Sequence, residues 1–169
     1  MNIFWKTIIW SQFEAAIDML ENGIKACPQE LWNDRSQRPE VWYMVFHTLF
    51  FLDCYLSDSL EEFIPPAPFT LDELDPAGLL PDRVYTKAEL QSYLAHGRKK
   101  FRETIKKLTE EKTHNRCGFD WLDLSIAELL LYNMRHVQHH AAQLNLFLRQ
   151  KIDSAPPWVK KAQIQLSGQ

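Results

Sequence analysis

Apolar residues return at three- and four-residue steps in four stretches of the chain, and no stretch sustains the two-residue alternation of a half-buried strand. The first stretch, about 4–26, sets Trp10, Phe13, Ile17, Leu20 and Ile24 on one stripe of a helix, and Cys27–Pro28 closes it. A second helix is expected to open at Pro39, a residue suited to a first turn, and to run to about 60. It is apolar almost all round and should be the most buried. Thr86 with Glu89, and Ser125 with Glu128, each spell a capping box, in which hydroxyl and carboxylate satisfy the free N–H groups of the first turn. They start a third helix, about 86–110, carrying Leu90, Leu94, Phe101, Ile105 and Leu108, and a fourth, about 125–151. Amphipathic helices of this length predict an all-α four-helix bundle forming one domain over 1–152. Residues 153–169 then form a tail, which Pro156 and Pro157 keep from continuing the last helix and which either packs through Trp158 or stays mobile.

Between the second and third helices lies a connection, 61–85, with five prolines. Loops of this length in a compact domain usually carry function or lack order. The length also frees the second and third helices to run parallel, so a simple up-down-up-down order is not imposed.

Composition narrows the function classes. The chain has 169 residues, 46% apolar and 24% charged, as expected for a soluble globular domain. A net charge of −3 leaves no electrostatic footprint for nucleic acid. The basic run "GRKKFRETIKK" (97–107) reads as a solvated helix face. Three widely spaced cysteines, Cys27, Cys54 and Cys117, fit neither a disulfide framework nor a thiolate zinc site and suit a reducing cytoplasm. The most apolar run, "VWYMVFHTLFFL" (41–52), is too short for a membrane span and contains a histidine, and no signal peptide is read at the start.

The chemistry concentrates in "NMRHVQHHAAQ" (133–143), three histidines on one helix. At about 100° per residue, His140 lies roughly 40° from His136 and Gln143 roughly 20° to its other side, all on one strip. His136 and His140 border the core stripe, whereas His139 points toward the polar side. Histidines at i and i+4 present two nitrogens to one ion. His47, mid-way along the second helix among Phe46, Leu49 and Phe50, would supply a third if the second and fourth helices face each other. The competing reading is a set of hydrogen-bonded core imidazoles. His96 is read as a surface residue and Cys54, about two turns beyond His47, as core. The one Glu-x-x-His match, Glu111–His114, is unpaired and falls in an expected loop, which weighs against a di-iron bundle. Val137 after His136 leaves out the general base a zincin needs, which weighs against that class.

A histidine mid-way along the second helix ("MVFHTLFFLDCYL") followed by "HVQHHAAQLNLFL" in the fourth resembles the DinB/YfiT-like superfamily of bacterial metalloenzymes. That family's pattern is H-x-x-x-H-R-G-Q; His136, His140 and Gln143 match it, and Ala141 and Ala142 stand where Arg and Gly are common. The resemblance implies a four-helix bundle of this type with one divalent ion, nickel or zinc, on three histidines, here His47, His136 and His140, and a homodimer. It further implies transfer or isomerisation chemistry with a low-molecular-weight thiol as co-substrate, or hydrolysis, on a small-molecule substrate. Gln143 and Asn133 are candidates for supporting the ligands or contacting what binds. Neither nucleic acid nor membrane is an expected partner. The rival expectation is a non-catalytic, stress-associated bundle acting through protein contacts, to which the six tryptophans would lend themselves.

Overall fold

A computed structural model describes residues 2–36, 38–78 and 80–166. Four long helices make the frame: α1 (Ile3–Ala26), α3 (Val41–Cys54), α4 (Lys87–Lys107) and α6 (Ile126–Ile152). Two short ones, α2 (Gln29–Trp32) and α5 (Glu110–His114), sit in the connections, and a single 3-10 turn spans Asp72–Leu74. Both capping boxes form: Thr86 and Ser125 accept from the N–H groups of Glu89 and Glu128, whose carboxylates reach back.

Around the bundle the long helices follow the order α1, α4, α3, α6. Contacts between distant residues give their directions. Lys6 donates to the Lys106 carbonyl and Arg98 reaches Glu14, so α1 and α4 run antiparallel. Phe46 packs on Tyr85 just ahead of α4, and Lys100 binds Asp53, so α3 and α4 run parallel. The long connection makes this possible, and it is ordered by burial: Phe63, Phe69 and Tyr85 join the core, with Phe69 stacked on Tyr93 at 4.2 Å.

α3 is shorter than its periodicity predicts, ending at Cys54 rather than near 60. A helix end leaves carbonyls without partners; here the N–H groups of Leu56 and Ser57 take those of Asp53 and Cys54, and side chains from other helices complete the set. Asn133 Nδ2 donates to the Leu52 carbonyl at 3.1 Å and Lys100 Nζ to that of Asp53 at 2.9 Å, so the turn can stop without a buried unpaired acceptor. The segment around Glu111–His114, expected as loop, is the helix α5, which Thr109 caps.

The basic run of α4 is not simply a solvated face. Arg98 turns inward onto α1 and pairs with Glu14, Asp18 and Glu21, while Lys100 pairs with the buried Asp53. The chain beyond α6 returns along α1: Ala162 N–H donates to Ser11 O, and Trp10 Nε1 donates to Ile164 O at 2.8 Å. Docking runs through these bonds, and Trp158 itself stays 66% exposed. All three cysteines are buried and unpaired, and no helix is long and apolar enough to cross a membrane among the described residues.

Candidate metal centre

Every position of α3 is buried except the strip Tyr43, His47 and Phe51, spaced four residues apart, which is half-exposed. This strip borders α6, whose core face is Leu129, Leu130, Val137, Leu144 and Leu148. His136 and His140 flank that face on the side of α3. The three rings form a triangle, with centroids 5.2 Å apart for His47 and His136, 5.0 Å for His47 and His140, and 4.7 Å for His136 and His140. One ring nitrogen from each lies within 4.8 Å of the other two, so the group could hold a metal ion. His139 lies outside the triangle, exposed, as the helical geometry requires.

Hydrogen bonds fix which nitrogens of His47 and His140 face the centre, while His136 Nδ1 is buried without a partner among the described residues. His47 Nδ1 lies 2.5 Å from Glu73 Oε1, and a carboxylate is satisfied there by a ring N–H. The Nε2 lone pair of His47 therefore points away from Glu73, toward His136 Nε2 at 3.2 Å. His140 Nδ1 donates to Gln143 Oε1 at 2.7 Å, which likewise leaves its Nε2 free as a donor to an ion. Two imidazole nitrogens bound to one zinc at about 2.05 Å in tetrahedral geometry lie roughly 3.3 Å apart. The His47–His136 separation fits that spacing.

Electrostatics suit a cation as well. Burial disfavours the imidazolium form, and neighbouring imidazoles add to the effect: His136 is lowered to about 3 and His140 to about 4. In His140 the bond to Gln143 opposes the shift without cancelling it. Both rings are thus neutral at physiological pH, with lone pairs available. Phe51 packs against His47 at 5.0 Å and His136 at 5.8 Å, closing one side with apolar surface.

Glu73 is the part of this arrangement that helical periodicity did not reveal. It sits in the 3-10 turn of the long connection, its side chain only 5% exposed, and also accepts from the Tyr43 hydroxyl at 3.2 Å. The carboxylate raises the Tyr43 hydroxyl, already shifted by burial, to about 12. A carboxylate behind a ligating histidine fixes its tautomer and strengthens it as a donor. The one available signal was the length of the 61–85 connection together with its acidic "LDELD". Of the residues read as supporting, Gln143 bonds His140, whereas Asn133 is fully buried and ties α6 to the end of α3 through Leu52. Cys54 is buried at the far end of α3, and His96 is exposed and lies 3.5 Å from Asp53.

No curated protein and no solved structure matches the chain. A family model described as the DinB superfamily matches residues 12–144, a span that contains His47, Glu73, His136, His140 and Gln143, and the chain belongs to that superfamily.

Proposed function

We propose that the chain is a metal-dependent enzyme in which His47, His136 and His140 hold one divalent ion, nickel or zinc, to activate a low-molecular-weight thiol for S-transfer. Hydrolysis by an activated water is the second reading of the same centre. The observation that carries the proposal is the 3.2 Å approach of the His47 and His136 nitrogens, beside a third imidazole whose far nitrogen is already bonded. Without a cation, two imidazole edges facing one another gain at most one hydrogen bond. A divalent ion with three neutral ligands keeps open positions and its full charge, which lowers the pKa of a bound thiol or water.

The protein's own part is positioning. Glu73 and Gln143 hold the rings in the tautomer that aims Nε2 inward, and burial keeps His136 and His140 unprotonated. The chain's own cysteines are unsuited as the nucleophile. Burial pushes the Cys54 thiol up to about 12, and Cys27 and Cys117 are buried too. The reacting sulfur must therefore arrive with a co-substrate. Buried free thiols also agree with a reducing, cytoplasmic setting. A homodimer is proposed alongside, supported by the exposed Ile3, Phe4, Trp5 and Ile8 at the start of α1; sedimentation of the full chain would check it.

The test loads cobalt(II) into the chelator-treated chain and titrates in cysteine, glutathione or bacillithiol. A sulfur-to-cobalt absorption band in the near ultraviolet is expected with at least one thiol. Cobalt binding without any such band would overturn thiol activation in favour of hydrolysis. A companion variant addresses Glu73. Glu73→Gln keeps the side chain's size and removes its charge, so zinc affinity measured by competition with a chromophoric chelator should fall about 10–100-fold. An unchanged affinity would reduce Glu73 to a prop for the loop.

A further inference from the structure

His136 also forms part of the wall of a second feature, a groove of about 620 Å3 between α1, the outer flank of α6 and the returning C-terminal segment. This volume is within the range of small-molecule sites. No residue lining the groove is acidic. Arg135 is exposed there and forms no ion pair among the described residues, and the residues three and four positions away on α6 (Leu131, Tyr132, Gln138 and His139) carry no negative charge at neutral pH. Trp158, Tyr132 and Met134 contribute apolar lining. Trp158 is kept in place although exposed, because Gln12 Nε2 donates to Lys160 O and Ala162 N–H to Ser11 O just beyond it.

We propose that this groove binds a small organic anion: a flat apolar body lying on Trp158 and Tyr132, with a carboxylate paired to Arg135. A guanidinium with no acidic partner matches a carboxylate in plane and charge, and an indole face supplies contact area with little conformational freedom to lose. As the substrate subsite of the proposed enzyme this assignment rests on the metal reading, since the groove meets the candidate centre at His136. As a binding site it stands independently.

The experiment is calorimetric titration of 2-naphthoate into the full chain after chelator treatment. Saturable one-site binding is expected, weaker by at least about tenfold in Arg135→Gln, because a charge-assisted pair is lost. Uncharged 2-naphthamide should be weakened similarly on the wild-type protein, and Trp158→Ala should also bind less tightly. Both residues are exposed, so unchanged melting temperatures will show that the variants fold. No binding at millimolar naphthoate, or equal affinity in Arg135→Gln, would overturn the proposal, as would inorganic phosphate competing as well as the aromatic acid. Because no metal is present, naphthoate binding can fail while zinc binding persists, which overturns the groove alone; the converse overturns the metal reading alone.

Discussion

His136→Ala, purified without chelators, should carry no stoichiometric zinc or nickel, where the wild-type chain carries about one ion, because two imidazoles cannot complete a site that needs at least three protein ligands. The same loss should appear in stability. A ligand that binds only the folded state at a hundred times its dissociation constant adds about 2.7 kcal/mol. In a chain of this size that raises the melting temperature by roughly 5–11 °C. Wild-type protein should show this rise on adding zinc or nickel, and His136→Ala should not. A flat response in the wild type would overturn the metal centre.

Acid gives a second readout from the same residues. His136 and His140 are held at about 3 and about 4, below the ordinary histidine value of 6.5. A depressed folded-state value means that the unfolded chain takes up the protons first. Their contribution to stability is therefore complete above pH 6.5 and is lost as the pH falls toward 4 and then 3. Urea unfolding of metal-free protein should show stability falling on acidification from pH 6.5, with a shallower slope in His136→Ala. An identical slope in the variant would show that burial of these rings does not set the acid response.

Arg98→Ala, which removes the cation that α4 turns inward onto α1, should be strongly destabilising. Its guanidinium meets Glu14 Oε1 at 2.5 Å, Asp18 Oδ1 at 2.9 Å and Glu21 Oε2 at 2.8 Å, and Glu14 is fully buried. Removing one partner of a buried ion pair costs about 3–5 kcal/mol, since the other charge stays behind unpaired. Thermal unfolding should register a drop of roughly 6–20 °C.

The pH dependence of this defect has a definite sign. Burial raises the Glu14 carboxyl to about 7 even though Arg98 pulls it down, so without Arg98 it must rise further. A raised folded-state value contributes stability that is complete below the ordinary value of 4.5 and fades as the pH climbs through 7. The deficit of Arg98→Ala should accordingly shrink between pH 8 and pH 5, as Glu14 takes up a proton. Adding Glu14→Gln should recover part of it at neutral pH. A deficit below about 1 kcal/mol, or one indifferent to pH, would show that the pairing contributes little, as exposed ion pairs do.

These cases show where legibility in the sequence stopped. The helix starts at Thr86 and Ser125 were readable because hydroxyl, carboxylate and the N–H groups they satisfy all lie within four residues. The end of α3 was not, because the Leu52 carbonyl is met by Asn133 and that of Asp53 is shared with Lys100, 81 and 47 residues away. Periodicity placed Arg98 on a helix among other cations and said nothing of three carboxylates waiting on α1. Glu73 lies in a segment without periodicity, so no rule linked it to His47.

The chain by itself determined that it is helical, where the two helices opened by capping boxes begin, that His136 and His140 share a strip, and that His139 does not. All of these follow from rotation and hydrogen bonding within a few residues of one helix. The second long helix opens at Val41 and not at Pro39. Only the tertiary structure decided that α3 faces α6, that His47 comes within 3.2 Å of His136, and that the long connection folds back to place Glu73 behind His47. Those are contacts between segments far apart in the chain, chosen by burial of Phe63, Phe69 and Tyr85 and by pairing of buried charge. Such choices minimise exposed apolar surface and unpaired polar groups over the whole molecule, and no local stretch of sequence contains them.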